Sequence, residues 1–356
     1  MPVKDHQKIK IKDVAEIAGV SVGTVDRVMH NRGEVAEETK AKVLNAINEL
    51  QYIPNMIARS LALKKKFRFA ALLPESKSHN DYWYGPLQGI KNAAEELDTY
   101  KLDVDIQYFN QSDSASFQLK ANQIINSNPD GFIFPPLFEE LAHDAITQCR
   151  KLNVPFSIID SNLDIEDKVS FIGQNSFQSG YLAGKLIHQF AGRKSGKFIV
   201  LLMEEGASSA QVNKRTRGFL DYFQHNDEIS SNRVVVLRAE SRNFKTLKEF
   251  LIQHFSQNSD ISGVFIPNSR SYLFCELVDK DLVKNVCVIG YDLLEKNITC
   301  LENERIHFLI AQNPSKQGYK AVMDLFDHIV LKKEVKKESF IPIDIIIKEN
   351  YRYYLD

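Results

Sequence analysis

The chain reads as α/β: a small helical headpiece, then a larger body of two doubly wound lobes. Three observations predict this. Apolar residues recur at helical spacing over residues 11–50, interrupted at Gly19. From Phe67 onward, short β-rich apolar runs alternate with amphipathic helical stretches, the pattern of parallel sheets covered by helices on both faces. Those runs are too many for one compact sheet, and 356 residues with 44% apolar composition suffice for more than one packed core.

In the headpiece, Ile11, Val14, Ile17 and Ala18 form one stripe expected to be buried. Gly19 tolerates the left-handed conformation that ends a helix. Ser21 is placed to cap a second helix whose inner face is Val25, Val28 and Met29. Val43, Leu44, Ile47 and Leu50 line a third helix over 37–50 and close a core too small for an enzyme. Helix, tight glycine turn and helix together present the second helix to a DNA major groove. In the body, strands are predicted at 67–73, 104–109, 131–135, 155–160, 198–203, 234–237, 263–267, 286–291, 308–311 and 344–347. Helices are predicted between them at 87–97, 117–125, 180–190, 216–223, 247–255 and 318–330.

Charge is divided unevenly. Residues 1–66 carry 12 Lys or Arg and 8 Asp or Glu, a net of +4, against −1 for the whole chain and therefore −5 for the rest. One basic end suits phosphates. No apolar run has membrane-spanning length, and Met1-Pro-Val-Lys-Asp-His-Gln-Lys8 has no apolar signal region, so a cytoplasmic protein is expected. Cys149, Cys275, Cys287 and Cys300 are scattered, without metal spacing; reduced, mostly buried thiols are expected, with no metal and no cofactor. Gly192-Arg-Lys-Ser-Gly-Lys197 has one residue too few between its glycines for a phosphate loop and lacks the hydroxyl residue after Lys. No nucleophile-elbow, zinc-protease or dinucleotide motif occurs, so no enzyme is expected.

Open α/β sheets bind ligands at the carboxyl ends of their strands. Reading those ends gives Asn80-Asp-Tyr-Trp83, Asp160, Asn268, Asp292 and Gln312. Carboxylates and amides exchange hydrogen bonds with neighbouring hydroxyls, and the rings of Tyr82 and Trp83 can pack on a sugar's C–H face. This lining suits a neutral polyol. A phosphorylated ligand would call for clustered cations or a glycine cradle.

The strings Asp13-Val-Ala-Glu-Ile-Ala-Gly-Val-Ser21, Thr24-Val-Asp-Arg27, Tyr52-Ile-Pro-Asn55 and Ala58-Arg-Ser-Leu61 resemble the headpiece and hinge of LacI-family transcription regulators. The resemblance implies a helix-turn-helix headpiece (1–53), a hinge helix and linker (54–66), and a periplasmic-binding-protein-like effector and dimerisation domain (67–356). It implies lobe crossings near 163–170, 293–301 and 325–332. Val22 and Gly23 take base-reading positions and Arg27 a position that reads a base or a phosphate, with Ser21, Thr24 and Asn31 as candidates for positioning phosphates. Leu61 takes the place of a minor-groove wedge. Asp81, Tyr82, Trp83, Asp160, Asn268, Asp292 and Gln312 fall at sugar-contacting positions. The family usually has an Arg five residues before a Gly-aromatic pair; counted back from Gly218-Phe219 that position is Asn213, and Arg215 is two residues later. The resemblance thus implies a sequence-specific transcription regulator, homodimeric and sugar-responsive, with operator DNA and a small sugar as partners. No leucine heptad tail follows 318–347 that would make a tetramer. A solute-binding protein of transport and a sugar-processing enzyme are the alternatives; the headpiece and the lack of a signal region speak against the first.

Overall fold

The computed structural model describes residues 10–29, 34–50, 66–76, 78, 80–191, 196–203, 210–225, 233–239 and 243–355. The chain divides into two compact units, 1–65 and 66–356. Asn31, Leu61 and residues 54–65 of the expected hinge lie outside the described residues.

In the first unit, α1 (Ile11–Ala18) is followed by α2 (Val22–Met29) and α3 (Glu37–Leu50). The Lys10 N–H donates to the Asp13 carboxylate at 2.6 Å and starts α1. Gly19 ends it at φ 67°, with the Val20 N–H donating back to Ala15 O at 3.0 Å. The Thr24 N–H donates to Ser21 Oγ at 3.1 Å, so Ser21 caps α2 as expected. Val14, Ala15, Ala18, Val25, Val28, Val43 and Ala46 form the core. Two expected core residues are corrected: Ile17 is 49% and Leu44 45% exposed. Each sits about 100° around its helix from the centre of the buried arc, and small Ala15 and Ala46 take the inner places. Three helices this short approach closely only where such residues face inward.

The second unit holds two six-stranded sheets of the same winding. The first contains β1 (Phe67–Pro74), β2 (Leu102–Phe109), β3 (Gly131–Phe134), β4 (Phe156–Asp160), β5 (Ser170–Gly173) and β11 (Glu338–Phe340), in the order 2-1-3-4-5-11, all parallel. The second contains β6 (Lys197–Leu202), β7 (Val234–Arg238), β8 (Ile261–Phe265), β9 (Cys287–Tyr291), β10 (Phe308–Ala311) and β12 (Asp344–Ile346), in the order 7-6-8-9-10-12. Only β12 runs antiparallel among these. Inner strands β3, β4, β5, β8 and β9 are buried throughout, because helices cover both faces.

The helices of this unit are α4 (Tyr84–Glu96), α5 (Ser114–Asn126), α6 (Glu139–Leu152), α7 (Ser176–Ala191), α8 (Ala210–Gln224), α9 (Phe244–Gln257), α10 (Ser271–Leu277), α11 (Glu295–Glu302) and α12 (Pro314–Ile329). Helix α12 packs on α4 and the first sheet, and α7 on α8 and the second. The lobes are therefore joined at 173–176, 311–314 and 340–344, which corrects the crossings expected near 163–170, 293–301 and 325–332. Strands β5 and β11 are too short and too polar at their ends to register in the sequence, so the first lobe holds two more strands than predicted. No helix among the described residues is long and apolar enough to cross a membrane.

Helices α7 and α8 cross at two glycines. A Cβ on Gly180 would stand 1.9 Å from Arg215 O, and one on Gly218 1.9 Å from Phe177 O. We expect Gly180→Ala to destabilise the second unit by ~1–3 kcal/mol, because backbone rather than a flexible side chain must yield. Thermal denaturation checks this; an unchanged Tm would show that the crossing accommodates a methyl group.

Candidate functional site

Polar side chains from both sheets converge where the carboxyl ends of the strands face each other. Asp160 closes β4 at φ 71° and Asp292 follows β9 at φ 65°, both in the left-handed region. That conformation turns each carboxylate out of its strand, and both are 3% exposed. The Asp160 N–H donates to Gln317 Oε1 at 3.0 Å, fixing the turn from α12. Asn297 Nδ2 donates to Tyr291 O at 2.9 Å and Asp292 O at 3.1 Å, fixing the other from α11.

Arg215 is the hub, 1% exposed. Its Nη1 donates to Pro267 O at 2.9 Å, its Nη2 to Gln312 Oε1, and its guanidinium lies 3.8 Å over the Tyr291 ring. Gln312 Nε2 donates to Asp292 Oδ2 at 2.8 Å. Gln211 Nε2 reaches Gln312 Oε1 at 3.0 Å and Asp160 Oδ1 at 3.2 Å, bridging the lobes. The Tyr82 hydroxyl donates to Asp160 Oδ1 at 2.7 Å, and the ring of buried Trp83 meets that of Tyr82 edge-on, centroids 5.0 Å apart. Asp292 Oδ1 and Arg215 Nε have no hydrogen-bond partner among the described residues.

Burial dominates the electrostatics. It pushes the Asp292 carboxyl up to about 7, opposed by the Arg215 charge and the Gln312 bond. Asp160 is raised by the same cause, opposed by its Tyr82 bond and by Arg215. Tyr82 is held well above the ordinary phenol range by burial and then by the Asp160 charge.

Of the residues singled out from the sequence, Tyr82, Asp160, Arg215, Asp292 and Gln312 meet in this cluster, with Trp83 against Tyr82. Asp81 shapes the loop instead, its Oδ1 accepting the Trp83 N–H at 3.3 Å. Asn268 is half-buried, its Oδ1 accepting the Arg270 N–H at 3.0 Å and its Nδ2 3.5 Å from Met203 O. Asn213 is corrected: it is exposed, because a helix turns residues two apart to nearly opposite faces, and Arg215 points inward. Two participants went unread. Gln211 is one turn before Arg215, a signal usable once Arg215 is known to face inward. Gln317 lies inside a helix, where Gln reads as surface. Asn80 Nδ2 donates across the cleft to Glu295 Oε2 at 2.7 Å, and the Glu295 N–H donates to Asn80 Oδ1 at 3.2 Å.

On the headpiece, Ser21, Val22, Gly23 and Arg27 are exposed along one side of α2, and Thr24 is half-buried. Arg27 Nε donates to Gly23 O at 3.3 Å, laying the guanidinium along that face. A Cβ on Gly23 would meet only Ser21 Oγ, at 3.8 Å, so the open side of the helix can approach another backbone closely. The arrangement is a helix-turn-helix with its second helix uncovered.

The chain belongs to the LacI family of bacterial regulatory proteins: residues 10–55 match that family's profile, and residues 70–334 match a periplasmic binding protein domain. A crystal structure from Bacteroides fragilis, assigned to the LacI transcriptional regulators, is 30% identical with a TM-score of 0.72, covering 82% of this chain and 100% of that one. The sucrose operon repressor of Lactococcus lactis subsp. lactis is 25% identical over 80% of this chain and 83% of its own. The transcriptional repressor PurR of Pectobacterium atrosepticum is 26% identical over 91% of both. The chain is a DNA-binding transcription regulator whose second unit is its effector domain.

The buried Asp292 gives this domain a pH signature. Its folded pKa is raised to about 7 from an ordinary 3.8, so the folded state holds the proton more tightly than the unfolded chain. As pH rises from about 4 to about 7 the unfolded chain ionises first and stability falls; below that window both forms are protonated and nothing is lost. Asp292→Asn, which cannot ionise, should therefore raise Tm most above about pH 7 and least near pH 4. A larger gain at acidic pH would contradict the assignment.

Proposed function

We propose that a small neutral sugar binds between the two lobes and that its binding sets the affinity of the headpiece for operator DNA. One observation carries this reading: two buried carboxylates face a single guanidinium at opposed strand ends, with amides and aromatic rings between them. A phosphate meeting that set would find a single arginine beside two carboxyls, without the clustered cations that it calls for. Hydroxyl groups, which both donate and accept, suit Asp160, Asp292, Arg215, Gln312 and Asn268 together. Asp292 Oδ1 and Arg215 Nε offer one acceptor and one donor not already used. One relative is named for the sucrose operon that it represses, which favours a sugar here too.

In this reading Arg27 supplies the main hydrogen-bond contact to a base, Val22 a methyl contact, and Gly23 close backbone approach. Ser21, Thr24 and Asn31 position phosphates, and Leu61 enters the minor groove. The protein works in the cytoplasm as a homodimer, since paired half-sites need a two-fold protein, and it turns over no substrate.

Trp83 is the only Trp in the chain, so its fluorescence reports the cleft directly. Titration with a panel of neutral sugars should quench or shift it for at least one, and Asp292→Ala should remove that response while sparing operator binding. A response confined to phosphorylated or nucleobase ligands overturns the sugar assignment. Arg27→Ala is expected to cost ~1–3 kcal/mol on operator and little on random duplex. Equal loss on both in a gel-shift titration would make Arg27 a phosphate contact.

A further inference from the structure

Helices α10 and α11 bring two cysteines together. The helices are bridged on either side of the pair. The Tyr272 N–H donates to Asn297 Oδ1 at 2.8 Å, and Lys296 Nζ meets Glu276 Oε1 at 2.8 Å. Three residues on from Tyr272 and Asn297, Cys275 and Cys300 come opposite each other, since positions three apart share a helix face. There Cys300 packs against the core cluster that holds Cys275. Arg305 spans the far end: its N–H donates to Cys300 O at 2.8 Å and its Nη2 to Val278 O at 2.5 Å. Cys275 is buried in the lobe core, while Cys300 is half-buried and reachable.

We propose that Cys275 and Cys300 are an oxidant-sensitive dithiol that closes to a disulfide and pins α10 to α11. The oxidant is a peroxide. The Cys300 thiolate attacks one peroxide oxygen, the O–O bond breaks, and a sulfenic acid forms as hydroxide leaves and takes up a proton. Cys275 sulfur then attacks the Cys300 sulfur, loses its proton and expels the hydroxyl as a second water. Two thiols are oxidised by two electrons and one peroxide is reduced to two waters, so no further reactant is needed.

The microenvironment assigns the two roles. The neighbouring Cys275 thiol and the nearby Arg305 lower the Cys300 thiol toward thiolate, against burial and Glu276. The neighbouring Cys300 sulfur, together with burial, keeps Cys275 protonated until it is needed as the second sulfur. Cys149 and Cys287 are buried and pushed up to about 12, so they serve as internal controls. The two helices pinned by the bond follow the loops that carry Asn268 and Asp292, and Asn297 Nδ2 already ties Ser269 O to Asp292 O at 2.9 and 3.1 Å.

The test is peroxide treatment of the full-length protein under native conditions, followed by non-reducing digestion and mass mapping. The expected result is a Cys275–Cys300 cross-linked peptide, loss of half the titratable thiols, and full recovery with dithiothreitol. Cys300→Ser should abolish the cross-link, and Cys149→Ser should leave it intact. Cys300 reaching sulfinic acid while Cys275 stays a free thiol would overturn the proposal. So would equal oxidation of Cys149 and Cys287, or no thiol loss at all.

Discussion

Burial of Arg215 is the constraint around which the effector domain is arranged. A guanidinium removed from water needs its donors satisfied and its charge balanced, or the domain loses several kcal/mol. Pro267 O and Gln312 Oε1 meet the first need at Nη1 and Nη2 and leave Nε without a partner among the described residues, and the Tyr291 ring face and two carboxylates meet the second. One guanidinium cannot fully compensate two aspartates, which is why burial still raises both carboxyls. The Gly180 and Gly218 crossing belongs to the same arrangement, because it lets the backbone of Arg215 lie directly against α7.

The repeated strand order explains how such distant residues meet. Each lobe winds 2-1-3-4-5 in its own numbering, so in each the chain reverses direction across the sheet at the strand equivalent to β1. Loops leaving the strands at that reversal have room to hold a ligand, and two lobes set with those ends facing make one cleft from two half-sites. Asn80–Trp83 and Asp160 come from one half-site, Asn268, Asp292 and Gln312 from the other, across more than 200 residues of sequence separation in the Asn80–Glu295 contact.

Much of this was legible in the sequence. Strand-end position alone marked Asp160, Asp292 and Gln312, because a buried apolar strand that ends on a polar residue has few reasons to do so. Gly19 and Ser21 were legible because caps depend on local backbone chemistry. Less local features were not. Ile17 and Leu44 obey helical periodicity within tolerance, yet core width, a tertiary property, leaves them outside. Strands β5 and β11 exist through their neighbours, and three residues of Glu338–Phe340 have no pattern of their own. Which of Asn213 and Arg215 faces inward turns on helix phase, which sequence spacing alone left open; Arg215 is the buried one.

The cleft also constrains how a ligand can act. Gln211 joins Asp160 to Gln312, Asn80 joins Glu295, and Lys214 Nζ donates to Asn162 O at 3.1 Å, so the lobes already share hydrogen bonds. An incoming ligand must exchange these bonds rather than add to them, and its effect on lobe geometry is the difference between the two sets. The pivot for such a change is confined. Gln174 Nε2, at the first crossing, donates to Ala311 O at the second and Pro342 O at the third, both at 3.0 Å. With all three crossings tied by one buried amide, the lobes can alter their angle about that point but cannot slide past each other without breaking both of its bonds. A rotation about a fixed pivot moves the far ends of the lobes most, so a small exchange of bonds at Asp160 and Asp292 becomes a larger displacement at their outer surfaces.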